Sequence, residues 1–238
     1  MRFAPIVPMS MMEEIRTADY HLVIAPMLRV HEYYEFYRDA KGFKILDNGA
    51  AEGKSVSPQD LLMWADAIQA DEVVAPDVYG HMDGTVDLLR HFVHFADGWK
   101  IMAVMQSTTW PQFDYIFKTA LHLNANTLAL PRVMCEHMGP FARLVAAEMI
   151  RSASDIEVHA LGCTRRLSEA RDLARQGIVR GIDSSAPVVQ GLFGQGLRGL
   201  YSSRPSDFFV KDPTQTARDN LDAFYRWCEH PEAPLSEL

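Results

Sequence analysis

The sequence predicts a closed barrel of alternating strands and helices, the (β/α)8 or TIM-type α/β fold. Short apolar runs alternate with longer helix-like segments, and the unit recurs about every 25–30 residues along the chain. The chain has 238 residues, close to the roughly 250 residues of a typical single barrel. Buried strands that alternate with helices form parallel sheets, and this many units favour closure over an open doubly wound sheet. We therefore expect one domain over residues 1–238 that ends in a short loose tail.

The individual elements follow from apolar runs, helical periodicity and cap residues. Seven runs are predicted strands: Tyr20–Ala25, Phe43–Asp47, Glu72–Asp77, Ile101–Gln106, Thr127–Pro131, Glu157–Leu161 and Val179–Asp183; a weaker eighth is Phe208–Val210. The helix-like segments are Glu32–Ala40, Ser57–Gln69, Gly84–Phe95, Gln112–Leu123, Gly139–Ser152, Arg166–Gln176 and Thr214–Glu229. Ser57 followed by Pro58 is a typical helix start, Asp83 is expected to precede the next helix, and Gly177 is expected to end one.

The composition is that of an ordinary globular protein, with 48% hydrophobic residues. No apolar run approaches the ~20 residues of a membrane span, and the first residues lack the pattern of a signal peptide, so we expect a cytoplasmic protein without membrane contact. The three cysteines, Cys135, Cys163 and Cys228, are widely separated, which argues against a disulfide framework. Without a pair of cysteines at zinc-ligand spacing, we expect no metal and no cofactor.

The charge is unevenly distributed along the chain. The net charge of -8 is not typical of a protein that binds nucleic acid. Residues 1–90 carry 8 basic and 15 acidic side chains, whereas residues 91–213 carry 13 basic and 11 acidic ones. Because local fields decide whether a phosphate backbone is attracted, the later part of the chain is the candidate surface. For any single arginine in it, solvated helix surface is the better interpretation.

Polar residues occupy the ends of several predicted strands. Three strands end in an aspartate, at Asp47, Asp77 and Asp183, and a fourth ends in Gln106. The carboxyl ends of barrel strands meet at one face, where the active sites of such barrels lie. One aspartate at a strand end is often only a turn former or helix cap, but burying three unpaired carboxylates together is costly. Their convergence therefore predicts a chemical site.

The residue types at this face suit glycosyl chemistry. One carboxylate can attack an anomeric carbon while a second acts as general acid and base. A third carboxylate opposite a glutamine fits the edge of a guanine-like base, because the carboxylate accepts from N1–H and N2–H₂ and the amide donates to O6. The pattern leaves open whether the reaction is glycosyl transfer or glycoside cleavage, and it does not settle the substrate.

Four segments resemble the tRNA-guanine transglycosylase superfamily in order and spacing: ILDNGA, EVVAPD, IMAVMQST and VHALGCTRRLSEARDLARQGIVRGIDSS. The similarity covers about residues 43–200. In compactness the chain is most similar to the phage branch, whose enzymes insert 7-deazaguanines into DNA. The resemblance implies that Asp183 is the nucleophile at C1′, through a covalent intermediate, and that Asp47 is the acid/base partner. It further implies that Asp77 and Gln106 hold the base and that Gly162 lets the backbone approach it closely.

The chain also departs from the family pattern. The family's glycine pair, whose N–H groups contact the base, is replaced by Pro131 and Arg132; proline has no N–H, so we expect Arg132 to be the donor. Asn48, directly after the acid/base aspartate, is a further candidate contact to the base. The family's stacking aromatic corresponds to Ala51, so either Tyr79 or Trp110 replaces it or the base is held differently.

The resemblance also sets the expected partners. The zinc motif and the C-terminal segment that help tRNA enzymes bind RNA are missing, which favours DNA over tRNA, with a 7-deazaguanine base as co-substrate. Arg198 and Arg204, in a glycine-rich stretch at 191–209, are candidate contacts to the phosphates beside a flipped nucleotide. A phage-encoded protein would act in the host cytoplasm, and homo-oligomerisation stays open.

Other interpretations keep the same residues. A tRNA-guanine transglycosylase would use the same chemistry on RNA, and an N-glycoside hydrolase acting on a deazaguanine nucleoside or nucleotide would replace the incoming base with water. An inactive partner subunit should have lost its acids, whereas all three are present. A barrel aldolase would need a lysine at a strand end, and the predicted strands have none. His159 is better explained as a packed barrel histidine than as a substrate contact.

Overall fold

The computed structural model describes residues 1–54, 56–162, 168–197 and 203–232. These ranges contain eight parallel strands in one sheet: β1 Arg2–Pro5, β2 Tyr20–Ile24, β3 Phe43–Asp47, β4 Glu72–Val74, β5 Ile101–Val104, β6 Thr127–Pro131, β7 Glu157–Leu161 and β8 Gly181–Ser184. From β2 to β8 each strand pairs with the next one in sequence, and β8 pairs with β1. Because β1 also lies beside β2, the sheet is nearly closed and the predicted (β/α)8 barrel is confirmed.

Helices cover the outside of this barrel. Within the described ranges they are α1 His31–Asp39, α2 Pro58–Ile68, α3 Met82–Phe92, α4 Trp110–His122, α5 Val133–Met138, α6 Ala142–Ala153, α7 Ser168–Gln176, α8 Ala186–Leu192 and α9 Gln215–Glu229. Short 3-10 helices are Met9–Ile15, Ala25–Arg29, Ala50–Glu52 and Phe208–Val210. Among the described helices, none combines the length and apolar character that crossing a bilayer requires.

Two of the three predicted helix ends are confirmed. Ser57 Oγ accepts a hydrogen bond of 3.1 Å from the backbone N–H of Asp60, and Gly177 has the left-handed φ of +64° that favours glycine after a helix. The third prediction is wrong. His81 caps α3 by accepting from the Gly84 N–H at 3.0 Å, and Asp83 lies inside the first turn, where its charge suits the helix dipole.

The eighth strand was predicted at the wrong end of the chain. Phe208–Val210 forms a 3-10 helix that buries Phe208 and leaves Val210 72% exposed. The missing strand is β1, Arg2–Pro5, whose four residues include a charge and a proline and are too few to show periodicity. In register, β1 places Ala4 beside Asp183, so it flanks the strand of the proposed nucleophile.

The register of the strands explains why the site residues converge. The parallel strands put all their carboxyl ends at one rim, where Asp47 ends β3 and Asp183 is the third residue of the four-residue β8. Two predicted strands are shorter than expected, because β4 ends at Val74 and β5 at Val104. Asp77 and Gln106 therefore lie in the loops just beyond their strands, still on the same rim.

Candidate active site

A pocket of about 340 Å³ opens at the carboxyl ends of the strands. All the candidate site residues that fall within the described ranges line it: Asp47, Asn48, Asp77, Gln106, Arg132, Gly162, Asp183 and Arg204. Arg198, the remaining candidate, lies outside the described residues, as do Cys163, Arg165 and Arg166. The strand ends of this barrel thus bring together side chains that are far apart in the sequence.

Asp183 is only 4% exposed, and one of its two carboxylate oxygens is anchored. Oδ1 accepts a hydrogen bond of 3.0 Å from the backbone N–H of Gly162 and lies 3.1 Å from His159 Nε2. Among the described residues, no hydrogen bond engages Oδ2. Gly162 adopts a left-handed φ of +66°, which favours glycine and turns its N–H toward Asp183. The arrangement leaves one oxygen of a fixed carboxylate available in the pocket.

Asp47 sits in a tight turn on the wall of the pocket, where its side chain is half-buried. Oδ1 accepts from the backbone N–H of Gly49 at 2.6 Å, and Gly49 has a φ of +82° with the ring of Pro26 where a Cβ would lie. Removal from water raises the pKa of Asp47 well above its usual range. The negative charge of Glu52 raises that pKa further, whereas the hydrogen bond from Gly49 opposes the shift. Such a carboxyl group can hold a proton and release it to a substrate.

Asp77 lies between two side-chain amides. Asn48 Nδ2 donates to Asp77 Oδ1 at 2.9 Å, and Gln106 Nε2 donates to Asp77 Oδ2 at 2.6 Å. The Gly80 N–H donates to Gln106 Oε1 at 2.9 Å, which fixes the orientation of the glutamine amide. Burial raises the pKa of Asp77 and the two amide hydrogen bonds oppose that rise. Gln106 therefore positions Asp77. The residue types at the strand ends could not predict this contact.

Arg132 and Tyr79 form one side of the pocket rim through a shared partner. Arg132 Nε donates to Glu136 Oε1 at 2.9 Å, and the Tyr79 hydroxyl donates to Glu136 Oε2 at 2.7 Å. Tyr79 lines the pocket, half exposed, whereas Trp110 packs edge-on against Phe113 with ring centroids 5.8 Å apart. Of the two aromatic residues considered for stacking, Tyr79 is therefore the one at the pocket.

Glu52 is a pocket residue that the sequence did not reveal. Its carboxylate forms a salt bridge with Arg204, and it sits close enough to Asp47 to raise the pKa of that group. The guanidinium group of Arg204 also lies over the rings of Phe208 and Phe209, at 5.8 and 5.4 Å from their centroids. The only sequence signal for Glu52 was its position in the same loop as Asp47.

His159 is the second residue whose role was missed. It is fully buried, as expected of a packed barrel histidine, yet its Nε2 contacts the carboxylate of Asp183. Over the described ranges, no three His, Cys, Asp or Glu side chains are grouped so that they could hold a metal ion.

Chemically, the pocket combines a fixed carboxylate with a free oxygen, a carboxyl group with a raised pKa and a third carboxylate between two amides. Models of known protein families give no match to this chain, and a search of curated proteins finds no relative. The assignment of a function therefore depends on the pocket itself and on the sequence segments that build it.

Proposed function

We propose that this protein is a base-exchange transglycosylase that replaces guanine in a nucleic acid, DNA in preference to tRNA, with a 7-deazaguanine. The observation that carries the proposal is the pairing of two unlike aspartates in one pocket. Asp183 is anchored through Oδ1 and keeps Oδ2 available, while Asp47 has a raised pKa. A double displacement at an anomeric carbon requires two carboxyl groups in different environments, one to act as nucleophile and the other as general acid and base.

In the first half-reaction, Asp183 Oδ2 forms a bond to C1′ of the target nucleotide while the bond from C1′ to guanine N9 breaks. The bonding electron pair moves to N9, and the Asp47 carboxyl group donates its proton to the departing base. Guanine leaves as a neutral molecule, Asp183 becomes a glycosyl ester and Asp47 becomes a carboxylate. The raised pKa of Asp47 supports this order, because it favours the protonated form from which the group donates.

In the second half-reaction, N9 of the incoming 7-deazaguanine attacks C1′ and gives its proton to the Asp47 carboxylate. The ester bond breaks, and its electron pair returns to Asp183. Both aspartates end in their starting states, so the exchange needs no oxidant, reductant or added acid.

The base would be recognised by Asp77 and Arg132. The Asp77 carboxylate, held by Asn48 and Gln106, can still accept from N1–H and N2–H₂ of a guanine edge, because each oxygen has a second lone pair. Arg132, at the rim beside Tyr79, is the candidate donor to O6. The half-exposed ring of Tyr79 is the candidate stacking surface.

The preference for DNA rests on the likeness in compactness to the phage branch and on the lack of cysteines at zinc-ligand spacing among the 238 residues. Arg204 lines the pocket and is the described arginine best placed to meet a phosphate beside a flipped nucleotide. Arg198 is proposed for the same role from its sequence position alone.

The experiment is the incorporation of labelled guanine, 7-cyano-7-deazaguanine and 7-aminomethyl-7-deazaguanine into duplex DNA, single-stranded DNA and bulk tRNA. We expect label in DNA for the wild type and none for Asp183→Asn, which keeps the shape of the side chain and removes the nucleophile. Arg151→Gln, on the outer face of α6, is the matched folded control and should behave as wild type. Label in tRNA alone would keep the chemistry and overturn the substrate, and guanine release without incorporation would identify a hydrolase.

A further inference from the structure

A chain of buried polar groups runs through the barrel behind Asp183. His159 Nδ1 lies 2.9 Å from the hydroxyl of Tyr20, and Arg180 Nε donates to the same hydroxyl oxygen at 3.1 Å. His159 and Tyr20 are fully buried. Beyond them, the guanidinium group of Arg180 is held by Glu72, Glu157 and Thr127. The chain connects the proposed nucleophile to an ion-pair cluster at the amino-terminal ends of the strands, where Glu72, Thr127 and Glu157 begin β4, β6 and β7.

The direction of each hydrogen bond in this chain follows from the chemistry of arginine. A guanidinium group has five N–H donors and no acceptor, so the Tyr20 oxygen must accept from Arg180. The one hydroxyl proton of Tyr20 is then available for His159 Nδ1, the other partner of that oxygen. Burial raises the pKa of Tyr20, so the hydroxyl keeps this proton at neutral pH.

The tautomer of His159 follows from the same assignment of hydrogen-bond donors and acceptors. Because Nδ1 accepts the Tyr20 proton, the imidazole carries its own proton on Nε2, and Nε2–H donates to Asp183 Oδ1 at 3.1 Å. Oδ1 thus accepts two hydrogen bonds, one from His159 and one from the Gly162 backbone. Both hold the same oxygen.

We propose that Arg180, Tyr20 and His159 form a proton-directing relay that fixes Nε2–H of His159 on Asp183 Oδ1 and so makes Oδ2 the attacking oxygen. The contacts of the relay are features of the structure, whereas the identity of the attacking atom rests on the proposed transglycosylase function. His159 and Tyr20 are positioning residues, since they act on the substrate only through Asp183.

The residues around Tyr20 pack closely against its ring. Gly181, the first residue of β8, faces it so closely that an added Cβ would lie 2.5 Å from Tyr20 Cε1. The ring of Phe43 also stacks against Tyr20, with centroids 5.7 Å apart. A buried hydroxyl that is this tightly enclosed, with both partners in place, holds His159 in one tautomer.

The first test reads the tautomer directly and does not depend on activity. In ¹⁵N-histidine NMR of the wild type at neutral pH, we expect the His159 signal to show an unprotonated Nδ1 and a protonated Nε2. In Tyr20→Phe, which lacks the hydroxyl proton, the signal should move toward a mixture of tautomers or a protonated ring. A wild-type His159 with its proton on Nδ1, or on both nitrogens, overturns the relay.

The second test reads the consequence for Asp183. With a DNA substrate and no incoming base, the rate of covalent adduct formation should fall roughly 10- to 100-fold in His159→Leu, the cost of one hydrogen bond to a charged group. His159→Gln, whose amide Nε2 can replace the lost donor, should recover most of that rate. His21→Leu is the matched control, because His21 is also buried but contacts the Lys41 carbonyl instead of Asp183.

The two tests separate the relay from the proposed function. If the wild type forms no adduct with any nucleic acid while NMR shows the expected tautomer, the transglycosylase proposal fails and the relay stands. If the wild type reacts, and both His159→Leu and His159→Gln react as fast as the wild type, the relay has no role in positioning Asp183. Should His159→Leu fail to fold, Tyr20→Phe and His159→Gln still decide the outcome.

Discussion

The Asp47 carboxyl group is a single side chain that works against the stability of the fold. Its pKa is raised in the folded protein, so the folded state binds its proton more tightly than the unfolded state does. The sign of the linkage follows: stability is greatest below the unfolded pKa of about 3.9 and falls as pH rises toward the folded value, because over that range the unfolded chain ionises this group while the folded protein keeps the proton.

Asp47→Asn removes this group while keeping its shape. We predict that the variant melts at a higher temperature than the wild type at pH 8 and that the difference shrinks as pH falls toward 4. Thermal unfolding across that pH range measures the difference in melting temperature. A change of 1 kcal/mol in the free energy of unfolding moves the midpoint of a domain of this size by about 2–4 °C. A lower melting temperature for the variant at pH 8 would contradict the raised pKa.

The same carboxyl group predicts the pH dependence of the first chemical step. Only protonated Asp47 can donate to the departing guanine, so the rate of adduct formation should decline as pH rises through its raised pKa. In Asp47→Asn the rate should be lower by about 10²- to 10⁴-fold and lose this decline, as expected when a general acid is removed. Single-turnover measurements with denaturing gels give both profiles. A wild-type rate that increases with pH over the same range would remove Asp47 from the role of acid.

Between elements, a buried ion pair connects the helices to the rim of the pocket. Arg143 of α6 and Glu169 of α7 are almost fully buried, and their side chains lie 2.5 Å apart. Arg143 Nη1 also donates to the carbonyl oxygens of Leu161 and Gly162, at 2.9 and 2.7 Å. The pair therefore holds the backbone at the end of β7, the segment whose N–H anchors Asp183.

Removing one partner of this pair leaves the other charge buried. We predict that Arg143→Met lowers the free energy of unfolding by about 3–5 kcal/mol, the usual cost of breaking a buried ion pair by removing one partner. Lys118→Met, which breaks the exposed pair with Asp114 on α4, is the matched control and should change stability little. Denaturant titration followed by circular dichroism compares the two. Equal stabilities for the two variants would refute the assigned importance of the buried pair.

For the molecule as a whole, periodicity determined most of what the sequence could predict. Seven strands and the rim that carries Asp47 and Asp183 follow from apolar runs and from the rule that barrel sites lie at strand ends. β1 was missed because four residues carry no period, and the short helices α5 and α8 were missed for the same reason.

The sequence could not predict contacts between side chains that are far apart along the chain. The bridge between Glu52 and Arg204 spans 152 residues, and nothing in either segment indicates that the two meet. The His159 contact with Asp183 likewise depends on which way two neighbouring strands present their side chains. Residue types at strand ends therefore indicate which residues share the pocket, while the hydrogen-bond partners of each side chain depend on the folded structure.

The net charge of -8 bears on how such a molecule would hold a nucleic acid. A negative protein gains no long-range attraction to phosphate, so binding must come from a few local cations that release counterions. Arg204 is the group proposed for this role, and its salt bridge with Glu52 means that an arriving phosphate would have to compete with a carboxylate.

We predict that Arg204→Gln weakens DNA binding uniformly across sequences and reduces the slope of log K against log salt by about 0.9, the value for one lost phosphate contact. Arg151→Gln changes the net charge by the same amount on an exposed position of α6 and should leave the slope unchanged. Fluorescence anisotropy from low to physiological salt measures both variants. If the slopes of both variants fall equally, net charge governs binding and Arg204 makes no phosphate contact. If only the slope of Arg204→Gln falls, the local field at the pocket overcomes the unfavourable charge of the whole protein.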